Sequence, residues 1–372
     1  MIPTHRPYLG DDELRAVARV FDSRWLGMGA DTQAFELALQ DFLQVRHVIA
    51  VSTGTAALHM ALAALDLPAA AEIIMPSLTF VSAPQVALAV GARPIFCEVD
   101  PDTLNIDVDD VQPRMTPRTR VIMPLHYGGY ACSLDELMCL AGRSGVRLVV
   151  DATHAFGSTY KGRPIAEQAH LSCFSFDPIK NITCGGGGAV ATNDDELAYR
   201  IRLQHNLGID HDSWKRRQDK SSSYSVIAPG LRYRMNNLNA AIGLEQLKRF
   251  EQFKARRRAI VHQYDRRLAD VHGLCLHQHD VETSCPFSYV VRVRNGRRDA
   301  LSAFLRRREI ETLVQFTPNH LHPAFAAHAT VLPTTEALYG EILTLPLYYE
   351  LTHEDVETVV AAVRDSFEGE SA

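Results

Sequence analysis

The sequence predicts an α/β fold: a large domain around a mostly parallel sheet sandwiched by helices, followed by a smaller α+β domain. Two observations carry this. From Asp11 to Val190, short apolar runs bounded by Gly, Pro and Asp alternate with stretches of helical periodicity, the pattern of repeated βα units. After a polar stretch at Asn206 to Pro229, the remainder mixes strands and helices without that alternation. The division falls between residues 1–245 and 246–372.

Seven runs are strand candidates: His47 to Ser52, Glu72 to Met75, Arg93 to Val99, Arg120 to Leu125, Arg147 to Asp151, Ser172 to Phe176 and Gly188 to Thr192. Between them Thr55 to Leu65 and Ser133 to Ser144 are amphipathic, and Gly91 and Gly145 stand where helices stop. Asn206 to Pro229, with the run Ser221 to Ser223, reads as a long surface loop. Asn237 to Leu268 reads as one long helix linking the domains, with Arg256, Arg257 and Arg258 on a solvated face. Beyond it come strands at Tyr289 to Val293 and Leu313 to Phe316. Helices are expected near Arg298 to Arg307, Thr335 to Glu341 and His353 to Phe367.

Composition narrows the function. The 372 residues are 46% hydrophobic and 22% charged, with a net charge of -6, which excludes a disordered chain and offers no bulk attraction to nucleic acid or an anionic membrane. The longest apolar stretches, such as Met60 to Leu65 and Val86 to Ala92, fall far below the roughly 18 residues that span a bilayer. Met1 to Tyr8 has no secretory pattern, so a cytoplasmic location is expected. Seven scattered cysteines read as reduced thiols.

There is no GxxxxGK[ST], no GxGxxG after the first strand and no HExxH, which argues against a nucleotide hydrolase or a dehydrogenase of the common kinds. His277, His279 and Asp280 lack a matching ligand set and read as exposed loop residues, so no metal is expected. Ser52-Thr53-Gly54-Thr55 closes a strand and opens a helix, where N–H groups and hydroxyls suit a phosphate but serve equally as a plain N-cap. Asp151 stands at the carboxyl end of a strand, where ligands gather in open α/β sheets, although a cap role fits it too. Lys180 comes after another strand and precedes Gly185 to Gly188; a partly desolvated lysine there suits a Schiff base. A phosphate cup, an aspartate and a lysine at strand ends together match the needs of pyridoxal 5'-phosphate (PLP).

The ordered strings Trp25-Leu26-Gly27-Met28-Gly29, Pro76-Ser77-Leu78-Thr79-Phe80, Pro124-Leu125-His126-Tyr127-Gly128-Gly129, Asp151-Ala152-Thr153-His154-Ala155, Ser175 to Asn181, Tyr233-Arg234-Met235 and Leu345-Pro346-Leu347-Tyr348 resemble the DegT-like family of sugar aminotransferases, over nearly the whole chain. That family is a branch of the PLP-dependent fold type I enzymes. The resemblance implies that Lys180 is the Schiff-base lysine and proton shuttle, that Asp151 pairs with the pyridinium nitrogen, and that His154 touches the ring. It further implies that Phe80 stacks on the ring and that Gly54, Thr55 and Ser175 hold the phosphate. It implies a homodimer with active sites at the interface, where Arg232 reaches the partner's cofactor phosphate. Trp25, Asn181 and His320 are implied as substrate contacts, and Lys215, Arg216 and Arg217 as diphosphate partners on a loop closing over a nucleotide.

Three positions depart from the family pattern. Gly186 replaces a common Glu, Arg232 a common Asn, and Asn239 a common Gln. The implied reaction moves an amino group from an amino acid, L-glutamate being the usual donor, to the keto group of a nucleotide-linked deoxysugar. Amination of a keto-cyclitol, a PLP-dependent dehydration and a non-catalytic PLP-binding role are the competing readings; the intact Lys180 argues against the last two.

Overall fold

The protein is described by a computed structural model over residues 1–210, 213–220, 222–277 and 279–368. Helices α1 (Asp11–Ser23) and α2 (Ala30–Leu43) lead into β1 (His47–Val51), α3 (Gly54–Ala63), β2 (Glu72–Pro76), α4 (Ser82–Ala89) and β3 (Arg93–Cys97). Next come α5 (Val108–Arg114), β4 (Thr119–Ile122), α6 (Leu134–Ser144) and β5 (Arg147–Asp151). A small hairpin of β6 (Thr159–Tyr160) and β7 (Arg163–Pro164) precedes β8 (Leu171–Ser175) and β9 (Gly188–Thr192). The seven predicted strands form one sheet in the order β1-β9-β8-β5-β4-β2-β3. All its pairings are parallel except those of β9, which runs against both neighbours.

Alternation along the strands puts Val48, Ala50, Ile74, Leu148 and Val150 in one buried cluster and Ile49, Val51, Ile73, Met75 and Val149 in another. The sheet is therefore covered on both faces, which is why its strands read as unbroken apolar runs. Because β1, β2, β5 and β8 point the same way, the loops that leave them open on one edge.

The polar stretch after α7 (Asp195–Gln204) is not all loop, since α8 (Ser213–Asp219) forms within it; positions 211, 212 and 221 lie outside the described residues. The expected single helix from Asn237 is two helices, α9 (Asn237–Lys248) and α10 (Phe250–Leu268). Arg249 leaves helical geometry at φ -102° and ψ 3°, and its guanidinium turns to Glu13 and lies 5.1 Å from the centre of the Tyr8 ring. The first turn of α10 buries Phe250 and Phe253 in the large core, while Ile260, Tyr264 and Leu268 belong to the core of the second unit. Arg257 is not solvated as expected: it is buried and donates to the carbonyls of Pro286, Phe287 and Leu347.

The second unit is a three-stranded antiparallel sheet, β10 (Leu274–Leu276), β11 (Tyr289–Val293) and β12 (Ile342–Leu345), with α11 (Arg298–Arg307), α12 (Pro333–Tyr339) and α13 (His353–Glu368). Leu313 to Phe316 contributes one bridge, Leu313 to Thr344, and is not a strand. The N-terminal residues join this unit, Ile2 bridging Ile310 and the Thr4 N–H donating to Glu311 at 2.8 Å. His277 and His279 are half-buried, contrary to the exposed-loop reading, and the His279 ring stacks 3.6 Å from that of Tyr130. No helix among the described residues is long and apolar enough to cross a membrane.

Candidate active site

The loops at the carboxyl edge of the large sheet, with residues of the second unit, line a cleft of about 300 Å³. Its wall includes Thr53, Gly54, Thr55, Phe80, Thr153, His154, Ser175, Lys180, Gly186, Phe287, Gln315 and Phe316. Asp151 is delivered by β5. Its backbone N–H donates to the Pro124 carbonyl at 2.9 Å and its own carbonyl accepts the His126 N–H at 3.1 Å, so β4 and β5 stay paired to the strand end. Asp151 is 2% exposed, and its carboxylate accepts the Thr153 N–H at 3.0 Å. Burial raises its pKa, against the pull of the Thr153 hydrogen bonds and of Lys180.

Lys180 ends the turn Asp177-Pro178-Ile179-Lys180, where its N–H donates to the Asp177 carbonyl at 3.0 Å. Burial lowers its pKa to about 8, opposed by the charges of Asp151 and Asp177. The Nζ atom lies 4.2 Å from the centre of the Phe287 ring. On that ring lie also His154, at 4.3 Å, and His5, at 4.9 Å. Burial first, then Lys180 and His5, holds the His154 pKa well below the ordinary imidazole value; its Nδ1 is buried with no partner among the described residues.

The N-terminus of α3 forms the anion cradle. The Thr53 side chain caps the helix by accepting the Ala56 N–H at 2.9 Å, and the Ala57 N–H returns to the Thr53 carbonyl. The N–H groups of Gly54 and Thr55 then have no partner among the described residues and face the cleft mouth together with the Ser175 hydroxyl. Gly54 is required by packing: a Cβ there would stand 2.7 Å from the Ser175 Cβ. An anion cradle, a buried carboxylate, a lysine held near neutrality, the half-exposed Phe80 ring and an unpartnered imidazole nitrogen fit the parts of PLP.

Not every predicted contact reaches this cleft. His320 is buried between the Ser77 hydroxyl, 2.7 Å from its Nδ1, and the Glu336 carboxylate, 3.2 Å from its Nε2, and is absent from the wall. With Asn319, which donates to the Ser77 and Thr79 carbonyls, it braces the backbone leading to Phe80. Asn181 is buried and donates to the Cys285 carbonyl at 3.1 Å, behind Lys180. Trp25 lies outside the cleft: its Nε1 donates to the Met28 carbonyl and its ring meets Trp214 at 5.4 Å and Arg217 at 4.8 Å. Arg216 covers Tyr224 at 4.6 Å. Arg232 is exposed at a bridge to Asn206 and does not line its own chain's cleft. Conversely, Phe287, Gln315 and Phe316 carry no motif that marks them in the sequence. They lie more than a hundred residues beyond Lys180 and arrive by docking of the second unit, without a local signal.

Residues 7–364 match the sequence profile described as the DegT/DnrJ/EryC1/StrS aminotransferase family. The chain is 34% identical to the spore coat polysaccharide biosynthesis protein SpsC of Bacillus subtilis (strain 168), covering 99% of this chain and 97% of that protein. The aminotransferase TlmJ from Streptoalloteichus hindustanus superposes with a TM-score of 0.94 at 37% identity, covering 100% of both chains. The PLP form of the putative sugar aminotransferase Spr1654 from Streptococcus pneumoniae superposes with a TM-score of 0.93 at 26% identity, covering 99% of both.

Proposed function

The chain belongs to the DegT/DnrJ/EryC1/StrS aminotransferase family and is a PLP-dependent aminotransferase of fold type I, and from that premise we propose that it moves the amino group of L-glutamate to the keto carbon of a nucleotide-linked deoxysugar. The observation that carries the site assignment is one cleft that brings Lys180 and His154 together with the anion cradle at the start of α3, with Asp151 buried at the end of the neighbouring strand β5. When bound, PLP supplies an electron-accepting ring and the carbon on which the amine is held between the two substrates.

Each residue of the cleft has its own part in this. Asp151 would hold a proton on the ring nitrogen of a bound cofactor, and that pairing would keep its buried carboxylate ionised. Gly54, Thr55 and Ser175 bind the phosphate dianion through N–H and O–H donors, strengthened by the α3 dipole. Phe80 and His154 bound the ring space, and His154 stays neutral so that its Nδ1 is open to a hydrogen bond. Lys180 Nζ accepts the proton that leaves the donor Cα, and in the return half delivers one to the sugar carbon that gains the amine. A pKa near 8 lets it do both close to neutral pH.

The cleft wall contains no arginine among the described residues, although it must bind a phosphate. Arg232, exposed beside the apolar Leu207, Val226, Ile227 and Leu231, supports a homodimer in which Arg232 of the partner subunit completes the cradle. The test is the absorption spectrum of the protein with PLP before and after L-glutamate, with Lys180→Ala as control. The expected result is a visible band that glutamate converts to an ultraviolet one, with no conversion in the variant. A visible band that glutamate never converts would refute the donor assignment, and no visible band would refute the site.

A further inference from the structure

The Gln315 side chain is a donor without an acceptor. It forms part of the cleft wall, is 7% exposed, and both of its oxygens are already engaged on the side away from the cleft. The Tyr127 hydroxyl donates to its backbone carbonyl, and the Ser288 hydroxyl donates to its Oε1 at 2.8 Å. Ser288 is itself anchored, its N–H donating to the Gly128 carbonyl at 3.3 Å. This clamp sets which end of the amide faces the cleft. The Nε2 group, with two N–H donors, has no partner among the described residues. The donors of Nε2 are therefore open to whatever acceptor occupies the cleft.

We propose that Gln315 Nε2 binds a carboxylate oxygen of the amino-acid donor. This rests on the assignment of the cleft to PLP and an amino-acid donor. Four observations select a carboxylate. The wall has no arginine among the described residues, and Lys180 is committed to the reaction. His154 is kept neutral by burial. A sugar hydroxyl seeks both a donor and an acceptor, whereas Gln315, with Oε1 occupied, offers donors alone, matching a group that only accepts. The neighbouring rings of Phe287 and Phe316 lower the local dielectric, in which an N–H···O⁻ bond is strong. The cofactor phosphate also only accepts, but the cradle for it lies on α3, a different element.

The experiment compares wild type with Gln315→Glu, which keeps the shape and replaces the donors by acceptors, and with Ser288→Ala, which releases the clamp. Each holoenzyme is titrated with 2-methyl-L-glutamate, which carries the carboxylates but has no α-hydrogen to lose, and with propylamine, which has no carboxylate. Perturbation of the visible band gives a dissociation constant for each. The expected result is a loss of roughly 10- to 100-fold for 2-methyl-L-glutamate in Gln315→Glu, a smaller loss in Ser288→Ala, and unchanged propylamine affinity in both. Equal losses for both ligands, unchanged 2-methyl-L-glutamate affinity, or a loss confined to PLP retention would overturn the proposal. A wild type that binds PLP but ignores 2-methyl-L-glutamate overturns it as well, while a wild type that forms no visible band overturns the cleft assignment beneath it.

Discussion

Phe287→Leu tests whether the ring under Lys180 sets the protonation of the amine. The ring centre lies 4.2 Å from Nζ, within cation–π range, and the contact is enclosed. Burial, opposed by the charges of Asp151 and Asp177, leaves the Lys180 pKa at about 8, so any further group that favours the ammonium acts against the pull of burial. A cation–π contact contributes about 0.5–2 kcal/mol. At about 1.36 kcal/mol per pKa unit, its loss should lower the Lys180 pKa by about 0.4 to 1.5 units. Leucine keeps the site dry, so the desolvation of the amine remains; the smaller side chain costs on the order of 1 kcal/mol in packing, which the fold should survive. The assay is the rate at which the visible band grows when PLP is added to apoenzyme, tracked against pH, because only the neutral amine attacks the aldehyde. Wild type should accelerate through a midpoint near pH 8 and then level off, and the variant should do so at lower pH. An unmoved midpoint would show that the ring only covers the amine, and an upward shift would show that it excludes water rather than attracting charge.

The phosphate cradle and the dimer can each be probed in the same way. Gly54→Ala places a Cβ 2.7 Å from the Ser175 Cβ, so the α3 N-terminus or Ser175 must move. With one charge-assisted hydrogen bond lost, at about 1.5–3 kcal/mol, PLP should dissociate roughly 10- to 100-fold more readily, measured by equilibrium dialysis, while the circular dichroism spectrum is kept; unchanged retention would remove the phosphate from this helix end. For the dimer, Lys180→Ala and Arg232→Ala proteins are each expected to be impaired. Mixing them under subunit exchange should restore sites that pair an intact Lys180 with Arg232 of the partner subunit, and no recovery of activity in a mixture shown by mass to contain hybrids would argue that Arg232 acts within its own chain.

What the sequence determined by itself is local. The seven strands, the cap at Thr53, the aspartate closing β5 and the lysine after β8 are each set by a few neighbouring residues: an apolar run must be a buried strand, and the residues just past its carboxyl end lie on the ligand edge. Gly54 was legible as a helix start, and its packing against Ser175, from a strand more than a hundred residues later, was not. The break at Arg249 escaped detection because both halves share a helical period, and only the pairing with Glu13 of α1 explains it. The same holds for Arg257, which one-dimensional reading places among surface arginines and the fold buries against three carbonyls. His320 shows the other side: the family resemblance implied a substrate contact, while in the fold its ring is held between Ser77 and Glu336 and is not part of the cleft wall. Phe287, Gln315 and Phe316 reach the cleft only because the second unit packs over the carboxyl edge of the sheet. Periodicity reports which residues are buried along one element, whereas the identity of the facing element depends on contacts between distant segments, and that was decided by the tertiary structure alone.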